Sequence, residues 1–153
     1  MNDKAGKHNL HRNLQWVLEE VEDAGAAVLD LPETFPGLIK ETFLRKLLTE
    51  KNAHAIWEWL EEKRSGFLLV DVRQRERYVE GHVPTAISMP LNEIDDRYKE
   101  IEDHHQIILY CASAYCRLGV KAALRFAEKG VYVREMSTGW QEWVEWGYPV
   151  EKG

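Results

Sequence analysis

Cysteine is scarce in this chain: there are two among 153 residues, Cys111 and Cys116. That is too few for a disulfide-stapled scaffold. No apolar run approaches the ~20 residues needed to cross a bilayer, so no membrane partner is expected. The first residues, Met1 to Arg12, lack the apolar centre of a signal peptide. Lysine and arginine never gather into a basic run, and the net charge is −6. Such a chain has little with which to neutralise phosphates, which argues against a nucleic-acid partner. Internal repeats and low-complexity tracts are also missing. What remains is an ordinary globular composition, 44% hydrophobic and 30% charged, in a length that suits one domain with an appended segment. A cytoplasmic location is expected, where thiols stay reduced. Two nearby cysteines there suit catalysis or redox chemistry better than a structural bridge.

Apolar spacing divides the chain. Leu10, Leu14, Val17, Leu18 and Val21 follow a helical period, giving an amphipathic helix from Leu10 to about Ala24. Two prolines and a glycine in Leu31-Pro32-Glu33-Thr34-Phe35-Pro36-Gly37 close that region. A second helix is expected over 38–50, with Phe43, Leu44, Leu47 and Leu48 on its apolar side. A third runs from the N-cap candidate Asn52 to Lys63 and groups Ile56, Trp57 and Leu60. Residues 1–50 read as an N-terminal helical extension, and 51–153 as the main domain. Isolated helices of this length are marginal in water, so the extension must dock on the rest of the chain or on a partner, a second copy included.

From Phe67 the pattern changes. Buried strands are expected at 67–72, 86–89, 107–110 and 131–134. Helices are expected at 74–80, 92–101, about 117–129 and 141–146, with Gly81 and Gly130 as stops. Short strands alternating with helices predict an α/β fold, a parallel sheet of about five strands with helices on both faces.

Within that pattern Cys111 stands where the strand Ile107-Ile108-Leu109-Tyr110 ends and a helix is about to begin. A side chain there is exposed at the carboxyl edge of a sheet, beneath the positive end of a helix dipole. A thiol so placed ionises readily, falling from ~8.5 to roughly 3.5–7.5 in comparable sites, and is read as a nucleophile. The competing reading is a small apolar filler.

Several segments occur together in one order: Asp71-Val72-Arg73, Glu76 and Tyr78, Gly81-His82-Val83-Pro84-Thr85-Ala86-Ile87, Met89-Pro90-Leu91, Tyr110-Cys111, Gly139-Trp140 with Trp143, and Gly147-Tyr148-Pro149-Val150. On these the chain, from about Asn52 to Glu151, resembles the rhodanese-like sulfurtransferase family. The resemblance implies that Cys111 takes a sulfane sulfur from a donor such as thiosulfate as a persulfide, then passes it to a thiol or cyanide. No cofactor is implied. It also implies a cradle of backbone N–H groups over Ala112, Ser113, Ala114, Tyr115, Cys116 and Arg117, directed at the terminal sulfur. The commonest family loop has glycine where Ala114 stands and arginine where Cys116 stands. A subgroup carries a second cysteine at that place, and this chain is similar to it.

The remaining candidates each have two readings. Arg117 could hold sulfonate-like oxygens by two hydrogen bonds, or point to solvent. Arg73 faces the pocket or braces the loop, with a structural ion pair to Asp71 favoured. Cys116 is either a resolving thiol or an apolar filler. For His82, which could serve as a general base, the resemblance implies hydrogen bonding to backbone instead. His104 and His105 have no recognised metal-ligand spacing, so no metal site is expected. Cys111-x5-Arg117 also fits the cysteine phosphatase signature, so the enzymatic competitor is a dithiol redox or oxyanion enzyme using Cys111 with Cys116 or Arg117. A non-catalytic module binding a partner through its N-terminal helices ranks last.

Overall fold

A computed structural model describes the backbone of residues 36–153 and the side chains of 40–153. The chain divides into two compact units, Met1–Lys40 and Glu41–Gly153. The helix expected over Leu10 to Ala24 lies outside the described residues.

Helix α1 (Pro36–Thr49) leads into the edge strand β1 (Glu50–Lys51) and then α2 (Ala53–Glu61). Strand β2 (Leu68–Asp71), helix α3 (Arg75–Glu80) and strand β3 (Ile87–Ser88) follow. After them come the single-turn helix α4 (Ile94–Arg97), strand β4 (Ile107–Tyr110), helix α5 (Leu118–Glu128), strand β5 (Arg134–Met136) and helix α6 (Trp140–Glu145). The sheet is five-stranded in the order β1-β5-β4-β2-β3, and every strand pair is parallel. Central β4 is buried at all four residues, as a parallel strand covered on both faces must be.

The pleat sends alternate side chains to opposite cores. Val70, Ile107 and Leu109 meet Ile94 of α4 and Ala122 and Phe126 of α5. Leu69, Ile108 and Tyr110 meet Ala53 and Ile56 of α2 and Trp143 of α6. Asn52 caps α2, its side chain accepting the Ala55 N–H at 2.8 Å, a contact that satisfies one of the helix's orphan donors.

Three expectations needed correction. Glu50 and Lys51, read as the end of a helix and the start of a domain, together form β1 and pair with Glu135 and Met136. The last strand is Arg134–Met136 rather than 131–134. Val131 and Val133 are apolar because they pack into the core on the α5 side, and that burial imitates a strand. The stretch 92–101 is helical in three pieces, 3-10 turns (Leu91–Glu93 and Tyr98–Glu100) flanking α4. Among the described residues no helix is long and apolar enough to cross a membrane.

Candidate active site

Strand β4 delivers Cys111 to the carboxyl edge of the sheet between its two neighbours, and the chain then turns through 112–117 into α5. The turn closes on itself: the Cys116 N–H donates to the Ser113 carbonyl at 3.0 Å. Helix α6 holds the loop from outside, with the Trp140 N–H donating to the Cys111 carbonyl at 2.9 Å and the Gln141 N–H to the Ala112 carbonyl at 2.8 Å. Glu142 completes the clamp. Its carboxylate accepts the Gly139 N–H at 2.9 Å and the Ala114 N–H at 3.1 Å. Burial works to raise that carboxyl, but the N–H groups of Ala114, Glu142 and Gly139 prevail and hold it below the ordinary range.

Gly139 is required here by space. A Cβ on it would stand 2.3 Å from the Ser113 backbone, inside any allowed contact, so only glycine lets α6 approach the loop this closely. Neither Gly139 nor Glu142 stood among the candidate site residues, although Gly139 belongs to one of the segments that carried the resemblance.

Cys111 is only 4% exposed, against the expectation that its side chain stands open at the sheet edge. Its Sγ lies 3.2 Å from the Cys116 carbonyl and 3.6 Å from that of Ser113. The N–H groups of Ser113 and Gly119 point at the same sulfur. The cradle is thus smaller than a ring over 112–117. The Ala114 amide is committed to Glu142 and the Cys116 amide to Ser113, while Gly119, beyond the loop, contributes.

The charge distribution also differs from expectation. Burial pushes the Cys111 thiol up, and its S–H donates to Cys116. For Cys116 burial also opposes ionisation, but the Leu118 N–H, the Cys111 thiol and the Ala112 N–H outweigh it and bring the thiol down. Of the two coupled thiols, Cys116 is therefore the one that ionises more readily. Both thiols are free.

Two openings flank the loop. One, of about 530 Å³, is lined by Ala112, Leu118, Trp140, Gly81 and the guanidinium-bearing Arg73 and Arg77. The other, of about 280 Å³, is lined by 113–117, with Glu135, Glu50 and Lys46 on its far wall. Cys116 and exposed Arg117 therefore share one opening, and Tyr115 projects into solvent at 92% exposure.

Arg73 is buried, and its donors are largely committed. It meets Asp71 through Nη2 at 2.6 Å and Nε at 3.0 Å, and the Gly81 carbonyl at 2.7 Å. Asp71 in turn accepts the Tyr110 hydroxyl at 2.7 Å, and the guanidinium lies 4.5 Å over the Trp140 ring. This network joins β2, β4 and α6 beneath the loop. His82 is buried, its Nδ1 2.9 Å from the Tyr78 carbonyl and its ring stacked on Tyr78 at 3.8 Å, consistent with bonding to backbone.

Glu135 was not among the candidate site residues. It follows the expected strand 131–134, and its half-buried carboxyl packs so close to Gly119 that a Cβ there would meet Oε1 at 2.3 Å. Burial, then the neighbouring charge of Glu50, raises its pKa. The sequence signal was its place in Val133-Arg134-Glu135-Met136, a segment that the two-cysteine subgroup shares.

Comparison with known proteins bears on the fold. Residues 52–145 match the model of the rhodanese-like domain. An HTH-type transcriptional regulator of Mycobacterium tuberculosis, Rv0324, is 37% identical over 97 residues, which is 63% of this chain and 43% of the regulator. The chain thus spans less than half the length of that relative. The BH2092 protein of Bacillus halodurans has a crystal structure superposing with a TM-score of 0.70 at 34% identity, over 76% of this chain and 86% of that one. The rhodanese-like domain of the Anabaena Alr3790 protein superposes with a TM-score of 0.62 at 27% identity, over 69% and 80% of the two chains. With a matching family model over more than half of its length, the chain belongs to the rhodanese-like domain family.

Proposed function

We propose that this chain is a sulfurtransferase in which Cys111 carries a sulfane sulfur as a persulfide. The observation that carries the reading is the placement of Cys111 at the end of β4 with the Ser113 and Gly119 N–H groups aimed at its sulfur. Those donors favour an anion at the sulfur, whether thiolate or persulfide.

In the first step the Cys111 sulfur attacks the outer sulfur of thiosulfate. The S–S bond of the donor breaks, sulfite leaves with its electron pair, and the Cys111 proton passes to the neighbouring Cys116 thiolate. That thiolate supplies the activation which burial denies Cys111 itself. In the second step a thiol or cyanide attacks the outer sulfur, and Cys111 departs as thiolate. Donor and acceptor are small molecules, and the chemistry needs reduced thiols, as in the cytoplasm. The larger opening presents the guanidinium groups of Arg73 and Arg77, the first paired with Asp71 and the second with Glu80 of the same lining, so a donor there would meet only their remaining N–H groups. The smaller opening brings Arg117 and Lys46 together with Glu50 and Glu135. The oxyanion reading is weaker, because a tetrahedral oxyanion needs several convergent amides and those of Ala114 and Cys116 are already bound.

Intact-mass measurement after exposure to thiosulfate tests the proposal. The expected product is a gain of one sulfur atom in the Cys116→Ser variant, acquired slowly because the proton-accepting thiolate is gone, lost on adding cyanide and absent from Cys111→Ser. No gain in any form of the chain refutes it.

A further inference from the structure

The sulfur-transfer reading leaves Cys116 without a role after the first proton transfer, yet the fold places it deliberately. The hydrogen bond from the Cys116 N–H to the Ser113 carbonyl folds the loop back on itself. That reversal seats the Cys116 carbonyl 3.2 Å from the Cys111 sulfur and packs Cys116 against the same apolar cluster that encloses Cys111. The two thiols interact, each altering the other's hold on its proton. Their surroundings differ. Cys111 is buried, whereas Cys116 is half-exposed and opens into the cavity of about 280 Å³ beside Arg117 and Glu135.

We infer that Cys116 is the resolving thiol of this site, closing a disulfide on Cys111 and discharging its persulfide as hydrosulfide into the smaller opening. The inference rests on the persulfide reading above and specifies how that persulfide ends. The Cys116 sulfur attacks the inner sulfur of the persulfide. A Cys111–Cys116 bond forms, the bond to the outer sulfur breaks, and the outer sulfur leaves with the electron pair as HS⁻, taking the Cys116 proton. No external oxidant is consumed, because the sulfane sulfur is itself reduced to sulfide while the two thiols are oxidised to the disulfide. An external dithiol then restores the site. It attacks the sulfur of Cys116, the one the cavity exposes, and releases Cys111 as the leaving thiolate. The acceptor class that suits this chain is therefore a dithiol, and the product a free sulfide. A monothiol or cyanide competes with Cys116 for the loaded site.

The test follows one loaded turnover. Wild-type protein and Cys116→Ser are loaded with thiosulfate, or chemically with sodium tetrasulfide, then desalted and kept without acceptor. Hydrosulfide release and intact mass are recorded. Wild type is expected to lose the added sulfur, release one equivalent of hydrosulfide and finish two hydrogens lighter than the reduced chain, with Cys111 and Cys116 in one disulfide-linked peptide. Cys116→Ser is expected to keep its sulfur and release none. Retention of sulfur by wild type for as long as by the variant overturns the inference, as does a stable added sulfur on Cys116 after thiosulfate. Failure of thiosulfate alone to load, with discharge intact after tetrasulfide, refutes the thiosulfate-transfer reading and upholds the resolving role.

Discussion

At the scale of single residues the site is governed by which neighbour can yield. A Cβ at Gly139 meets the Ser113 backbone at 2.3 Å, whereas a Cβ at Gly119 meets the end of the Glu135 side chain at the same separation. Backbone clamped by hydrogen bonds cannot move aside; a side chain can rotate. Gly139→Ala is therefore expected to cost about 1–3 kcal/mol, the usual range for overpacking, and to slow sulfur loading by displacing the loop. Gly119→Ala is expected to cost clearly less. Urea denaturation alongside loading rates distinguishes them, and equal costs would show the Ser113 contact to be soft. Arg73 offers a second residue-scale outcome. Removing it leaves Asp71 buried beside Tyr110 with no cation, so Arg73→Ala is expected to lose about 3–5 kcal/mol, as for other broken buried pairs. A loss within ~1 kcal/mol, the range for exposed pairs, measured by the same denaturation, would place the network at the periphery of stability.

At the scale of elements, α6 and the loop are one unit because a single carboxylate, that of Glu142, bonds both. Its folded pKa is depressed, so its stabilising contribution is present above the ordinary carboxylate range and vanishes as pH falls through the lower folded value. Glu142→Gln is therefore expected to be less stable than wild type at neutral pH, with the gap closing on acidification. Denaturation midpoints across that range give the check, and a pH-independent gap would mean that the charge is irrelevant to the clamp. The same unit explains why the sequence reading of the loop overcounted its amides. Periodicity shows where a loop lies, but whether a loop N–H turns inward to a sulfur or outward to Glu142 depends on an element about 30 residues away in sequence.

At the scale of the whole molecule, edge strand β1 lies against β5 with Glu50 directly opposite Glu135. The raised pKa of Glu135 means that its stabilising share is full below the ordinary carboxylate value and is lost as pH rises through the higher folded value. Glu135→Gln is expected to be more stable than wild type at neutral pH, the advantage fading in acid. A less stable variant at neutral pH would show that the carboxylate has a favourable partner that outweighs its burial. Phe43, Leu44, Leu47 and Leu48, the apolar side expected of the second helix, are exposed on α1 among the described residues. The expectation of a partner or second copy on that helix therefore remains a proposal, for which sizing of Leu47→Glu against wild type is the measurement.

The sequence alone was enough for the alternation of strands and helices, the four-residue burial of β4 and the position of Cys111, because each follows from local apolar spacing and chain direction. It was also enough for the buried Asp71–Arg73 pair, since two opposite charges beside a core strand must find each other. It could not reveal β1, whose two residues carry no apolar pattern and are a strand only because β5 offers a free edge. Nor could it tell which of the two thiols ionises more readily. Burial of Cys111, exposure of Cys116 and the aim of each amide are properties of how β4, α5 and α6 converge, and proton affinity follows that convergence rather than the order of the letters.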